Sequence, residues 1–227
     1  MELCAGDDNK WTVIMDARRH VRSSIRCFWG RHNLTIMVLC LLSASLYYTI
    51  GVQRMLERFH SSNPDAFATG DIVTVVGVID GDELLIENQE GVPTRLRILG
   101  IKSFSPTLSD PLLSEYGKIC FDYLQARVTH QPVRLEISEK VLDTEGRLLG
   151  TLFLKNPQGE YTIDLARDLV DKGYTLVYTR FRFGKMADYL TVQQGARTNY
   201  NGFWSNDIVS ARSLALLKLW EEEGAGG

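Results

Sequence analysis

The sequence predicts an α+β chain: a five-stranded β-barrel of OB type with packed helices, preceded by one transmembrane helix. Three observations carry this reading. Residues 33–53 run for 21 positions without a formal charge. From Ile72 onward, β-branched stretches alternate with turns rich in glycine, asparagine and aspartate. The elements follow the order β-β-β-α-β-β-α-α, in which a helix succeeds the third strand as in OB barrels.

The apolar run comes first in the chain. As a helix it would reach about 31 Å at roughly 1.5 Å per residue, close to a hydrocarbon core of about 30 Å. Tyr47 and Tyr48 stand near its C-terminal end, where amphipathic rings favour the membrane interface. A buried core helix would carry a polar stripe, and none is visible. Ser43-Ala44-Ser45 suits a signal-peptide cleavage site, but the 32 residues ahead of the run, with Glu2, Asp7 and Asp8, favour a retained signal-anchor. Arg18, Arg19, Arg22, Arg26 and Arg31 precede the span, whereas only Arg54 and Arg58 follow it closely. The positive-inside rule then leaves the N-terminus in the cytosol or mitochondrial matrix. Residues 17–32 are Arg-rich and acid-free, which fits mitochondrial import and equally a basic stop at the lipid headgroups. The expectation is a single-pass protein, with the mitochondrial inner membrane favoured and the ER or plasma membrane as alternative.

Ser61 to Asp65 read as a polar linker interrupted by proline. Strands are expected over 72–79, ending at an Asp80-Gly81 turn, then from Leu84 to Ile86, and over 94–99. In the third, alternation places Arg95 and Arg97 on one face and Leu96 and Ile98 on the other. An imperfect apolar stripe of Leu113, Tyr116, Cys120, Tyr123, Leu124 and Ala126 predicts a helix over 112–128. Strands follow over 132–137 and 148–154, separated by Asp143-Thr144-Glu145-Gly146. Helices are expected over 163–172, stopped by Gly173, over 185–199, and over 208–223 with Ala211, Leu214, Leu217 and Trp220 on one side. The organisation is a basic segment (1–32), a transmembrane helix (33–53), a linker (54–70), the barrel domain (71–206) and a C-terminal amphipathic helix and tail (207–227).

Composition bounds the function. The chain has 227 residues, 44% hydrophobic and 23% charged, so it is ordinary globular material. Four cysteines without a CxxC pair exclude a disulfide-dense scaffold and a cysteine-based zinc site. Residues 71–206 hold 15 basic and 18 acidic side chains, a poor start for the counterion release that drives nucleic-acid binding. The one basic run there, Arg180, Arg182 and Lys185 interleaved with Phe181 and Phe183, reads either as a single-strand platform or as a solvated loop with aromatic anchors.

Four stretches in order carry a resemblance: Val78-Ile79-Asp80-Gly81-Asp82; Arg95 to Ile101; Asp143 to Gly150; and Leu165 to Gly173 followed by Gly202-Phe203-Trp204-Ser205. Together they resemble the staphylococcal nuclease family. The resemblance implies calcium-dependent phosphodiester hydrolysis: two aspartates hold the metal, a glutamate assists the attacking water, and two arginines neutralise the phosphorane. Asp82 matches the first metal aspartate, and Arg97 and Arg147 match the arginines. The second metal aspartate, however, corresponds to Lys102, the glutamate to Ser105, and a tyrosine near the second arginine to Glu145. Calcium takes six to eight oxygens, and exchanging a carboxylate for an ammonium alters the local charge by two units. Each unit pair at 4 Å is worth roughly 4 kcal/mol at an effective dielectric of about 20. Serine has no accessible pKa for a general base.

No catalytic residue, metal or cofactor is therefore expected, with Asp82, Arg97 and Arg147 as a remnant pocket. Lys102 either pairs with Asp82 in the metal's place or points to solvent. Arg97 and Arg147 are read as paired internally with Asp80, Asp82 or Glu145. Asp110 and Glu115 are displaced acids that would rescue catalysis if they reached the pocket. The favoured function is a non-catalytic accessory or protein-interaction module. Its partners would be the membrane through 33–53 and other membrane or complex proteins, with nucleic acid not expected. The competing readings are an active Ca²⁺-dependent tethered nuclease and a single-strand binder that does not cut.

Overall fold

The computed structural model describes residues 35–53 and 63–225, in two units divided between Leu56 and Glu57. The expected arginine flanks of the apolar run, Arg18 to Arg31 together with Arg54 and Arg58, lie outside the described residues, as do 54–62 of the expected linker.

In the first unit, helix α1 (Thr35–Gln53) has 19 residues and a mean hydropathy of 1.8. Its side chains are exposed all round. At roughly 1.5 Å per residue it is long and apolar enough to span a membrane.

The second unit is the barrel. Strands β1 (Ile72–Asp80), β2 (Glu83–Glu87) and β3 (Pro93–Ile98) form an antiparallel meander, and β5 (Pro132–Leu142) and β6 (Leu148–Lys155) add to it on the far side of β1. Parallel pairing of β3 with β6, Leu96 opposite Leu148 and Ile98 opposite Gly150, closes the five strands into an OB-like barrel. Helix α2 (Pro111–Val128) intervenes as the OB order requires, and residues Val73, Val75, Leu84, Ile86, Leu96, Leu124, Leu135, Leu148 and Leu152 fill the interior. Each such side chain contributes about 1.5–3 kcal/mol on burial.

Several elements depart from the sequence expectation. The first turn is Gly81-Asp82, with Asp80 opposite Glu83, because both β-strands extend to the turn residues. Residues expected at the start of a helix form strand β7 (Tyr161–Asp164), which extends the sheet beyond β6; helix α3 (Leu165–Asp171) begins only after Asp164, whose side chain caps it. Two-residue strands β4 (Ile101–Lys102) and β8 (Leu176–Val177) pair antiparallel and are too short to leave a periodic signature. Helices α4 (Met186–Thr198) and α5 (Asp207–Ala225) fall where expected. Of the stripe expected on α5, Leu217 is buried and Leu214 and Trp220 pack partly buried on the core, whereas Ala211 is exposed and Val209 and Ser213 are buried in addition. Of that on α2, Cys120 and Leu124 are buried and Leu113, Tyr116 and Tyr123 pack on the core, with Ala126 outside and Gly117 and Val128 buried in addition. Within the expected linker, residues 63–70 pack on the barrel: Phe67 joins the core and the Gly70 amide donates to the Leu135 carbonyl at 2.8 Å.

Candidate functional site

The site is built where the β1–β2 turn, the end of β3 and the β4 loop converge. Gly81 lets the turn approach closely: a Cβ there would lie 2.7 Å from both Cys120 Sγ and Ser103 Cβ. The tight turn aims Asp82 inward, where it is only 1% exposed. Its Oδ2 sits 2.5 Å from Arg97 Nη1 and 3.2 Å from Lys102 Nζ, and accepts from the Ser103 amide at 3.2 Å. Its Oδ1 is buried and lacks a hydrogen-bond partner.

Arg97 is itself buried and donates a second hydrogen bond to the Ile101 carbonyl at 3.1 Å. The alternation expected of β3 holds, with Leu96 and Ile98 in the barrel core and Arg95 and Arg97 on the other face, where the ion pair with Asp82 buries Arg97 as well. Lys102, 41% exposed, takes the paired position of its two expected alternatives. Asp80 lies beside this cluster, accepting from the Gly81 amide at 2.7 Å and from Ser103 Oγ at 3.4 Å. Burial raises its carboxyl above the ordinary range, against the opposing pull of the Gly81 amide, and the charge on Asp82 adds to the rise. Burial also pushes the Cys120 thiol far up, leaving it inert.

Arg147 belongs to a second cluster. Its guanidinium meets Glu83 Oε2 at 2.7 Å, Asp143 Oδ2 at 2.6 Å and Glu145 Oε1 at 3.2 Å. Glu83 Oε1 in turn receives Arg95 at 2.5 Å. Of the partners expected for the two arginines, Asp82 and Glu145 are present and Asp80 is not. Glu83 and Asp143 escape sequence reasoning, although the expected hairpin places Glu83 across from the arginine face of β3. Burial raises the Asp143 carboxyl, but hydrogen bonds from Arg147 and the Glu145 amide outweigh it and hold the group below its usual range.

The remaining expected residues lie apart. Ser105 Oγ bonds Thr107 Oγ1 at 3.0 Å. Asp110 caps α2, accepting from the Leu112 and Leu113 amides at 3.0 and 3.2 Å, and pairs with Arg212 of α5. It is thus a structural residue, and Glu115 lies exposed on α2. In the basic-aromatic run, Phe183 packs against Tyr189 at 5.4 Å, Lys185 pairs with Asp164 at 3.0 Å and Arg180 pairs with Glu223 at 3.3 Å. Phe181 stays 61% exposed.

With this geometry in view, the chain can be set against known proteins. Residues 95–206 match the staphylococcal nuclease homologue family. Over this stretch the chain is similar to staphylococcal nuclease. It is similar to a thermonuclease of Staphylococcus intermedius, 28% identical over 110 residues, which is 48% of this chain and 62% of that protein. It is also similar to a thermonuclease of Staphylococcus hyicus, 31% identical over 80 residues, 35% of this chain and 47% of that protein. The chain thus spans less than two thirds of each relative. The family match takes in Arg97, Lys102, Ser105 and Arg147, and leaves Asp82, α1 and α5 outside.

The nuclease-like domain's donor set does not fit calcium. Around Asp82 Oδ2 two carboxylates, Asp80 and Asp82, face two cations, Arg97 and Lys102, so the cluster offers a divalent ion no net negative charge. Among the described residues, no three His, Cys, Asp or Glu side chains gather closely enough to hold a metal.

Proposed function

We propose that this protein is a membrane-anchored, non-catalytic nuclease-like module that serves as an accessory or protein-interaction subunit of a mitochondrial membrane complex. The observation that carries the reading is Lys102 Nζ, 3.2 Å from the carboxylate of Asp82. An ammonium there compensates Asp82 electrostatically, as a metal ion would, but offers no Lewis acidity and orients no water. Ser105 adds no base. Arg97 and Arg147, the groups that would neutralise a phosphorane, are held by Asp82 and by Glu83, Asp143 and Glu145. A phosphate would have to displace these carboxylates to reach them. The domain then retains a barrel and loses the chemistry. Helix α1, long and apolar enough to span a bilayer, supports anchoring, and the arginine-rich segment ahead of it supports mitochondrial import and an N-terminus on the matrix side.

The experiment is purification of the intact protein from mitochondrial membranes in mild detergent, with native sizing and a cleavage assay on single-stranded DNA and RNA with added Ca²⁺. The expected result is migration in a large assembly and uncut substrate. Calcium-dependent cleavage that disappears on Arg147→Ala would establish the competing tethered nuclease. A salt-sensitive gel shift without cleavage would establish the single-strand binder.

A further inference from the structure

A cleft of about 330 Å³ opens beside Lys102, between the β4 loop and α5. Its walls are Leu108, Leu176, Leu216 and the Trp220 indole, and the only charged side chain among its lining is Lys102, next to the Ser105 hydroxyl. Two of those walls belong to α5, beyond the family match at 95–206, so the cleft is partly built by a segment that the match does not include. Trp220 is braced edge-on by Tyr178 at 4.9 Å between ring centroids, which fixes the indole wall. The volume falls at the lower end of small-ligand sites, and an apolar lining with one polar anchor is the usual composition of such a site.

Lys102 can serve as that anchor without abandoning Asp82. An ammonium has three N–H donors and Asp82 takes one of them. Asp82 is also held by Arg97 and by the Ser103 amide, so a change of partner at Lys102 does not strand its buried charge.

We infer that this cleft binds a small amphiphile: a short apolar chain along Leu108, Leu176, Leu216 and Trp220, ending in one anionic group on Lys102. The inference goes beyond the non-catalytic reading and stands whether or not the domain cuts phosphodiesters.

The test uses the full chain in zwitterionic nanodiscs and equilibrium dialysis of labelled octanoate, with empty discs subtracted. Wild type takes up octanoate saturably at one site per chain. Lys102→Gln, which leaves a polar side chain one atom shorter and loses the charge, binds it roughly tenfold more weakly, the loss expected for one charge-assisted hydrogen bond. Octan-1-ol binds wild type roughly tenfold more weakly than octanoate and does not distinguish the two proteins. Leu216→Trp fills the cleft and abolishes uptake; Leu108→Trp, from the exposed wall, does the same if the first variant fails to fold. Uptake no greater than by empty discs, equal affinity in Lys102→Gln, or unchanged binding in a folded tryptophan variant would each overturn the inference. Repeating the titration in discs containing anionic lipid separates two sources of the same chemistry: loss of octanoate uptake assigns the cleft to a bilayer lipid, and unchanged uptake assigns it to a soluble acid.

Discussion

At the scale of single residues, the two cations on Asp82 are unequal. Arg97 is buried at 2.5 Å and also holds the Ile101 carbonyl, whereas Lys102 is 41% exposed at 3.2 Å. Removing one partner of a buried pair strands a charge and costs about 3–5 kcal/mol, while exposed pairs are worth about 0–1 kcal/mol. Arg97→Met should therefore lower the urea midpoint severely and Lys102→Met hardly at all; equal losses would contradict the asymmetry. Asp80 supplies a pH signature. Its folded carboxyl titrates above the unfolded value near 3.8, so its ionisation opposes folding once pH rises through that value. Asp80→Asn should raise the thermal midpoint at pH 7, and the gain should vanish below pH 3.8. The converse substitution pair, Lys102→Asp with Ser105→Glu, should create calcium binding detectable by calorimetry, because it exchanges the ammonium on Asp82 for a carboxylate and restores the second acid that the family resemblance places at 105. A flat titration would show that Lys102 is not what keeps the ion out. Much of this site is legible in the sequence, since the resemblance to the nuclease family picks out the positions of Asp82, Arg97, Lys102 and Arg147. Glu83 is not, because a carboxylate beside a turn reads as solvated until pairing across β2 and β3 places it between two arginines.

At the scale of elements, the loop that carries Ser103 to Asp110 is pinned from two sides. Gly117 of α2 lies so close that a Cβ would stand 2.6 Å from the Phe104 carbonyl, and Ser114 Oγ donates to the Pro106 carbonyl at 2.6 Å. From the other side α5 grips Asp110 through Arg212. Gly117→Ala gains helix propensity of about 1 kcal/mol yet forces backbone apart, and overpacking of this kind costs about 1–3 kcal/mol. The net expectation is a lower unfolding midpoint together with faster amide exchange over residues 103–110; a stabilised variant would refute the close packing. The helices and the five barrel strands are readable from their apolar runs and the turn residues between them, although β2 and β6 are buried on both faces. Strands β4, β7 and β8 are not. Two-residue strands have no period, and Ile163 fits a helical stripe as well as a strand until β6 offers it Leu154 as a partner. On α5 the expected Leu214, Leu217 and Trp220 do face the core and only Ala211 does not: a serine in a helical pattern is ordinarily assigned to the solvent side and an alanine to the core, yet here Ser213 is fully buried and Ala211 is exposed.

At the scale of the whole molecule, the division into an apolar helix and a barrel sets what each can do alone. Both buried clusters are made of residues between Phe67 and Leu217, and no side chain of α1 is buried among the described residues. The barrel's cooperativity should then owe nothing to the helix. Removing residues 1–53 should move the protein from the membrane pellet to the soluble fraction after carbonate extraction. The freed chain should keep the near-UV circular dichroism of Trp204 and unfold within a few degrees of the intact protein in detergent. A truncated chain that aggregates or loses its tertiary signal would mean that the helix contributes to the fold, and that anchoring and barrel stability cannot be separated.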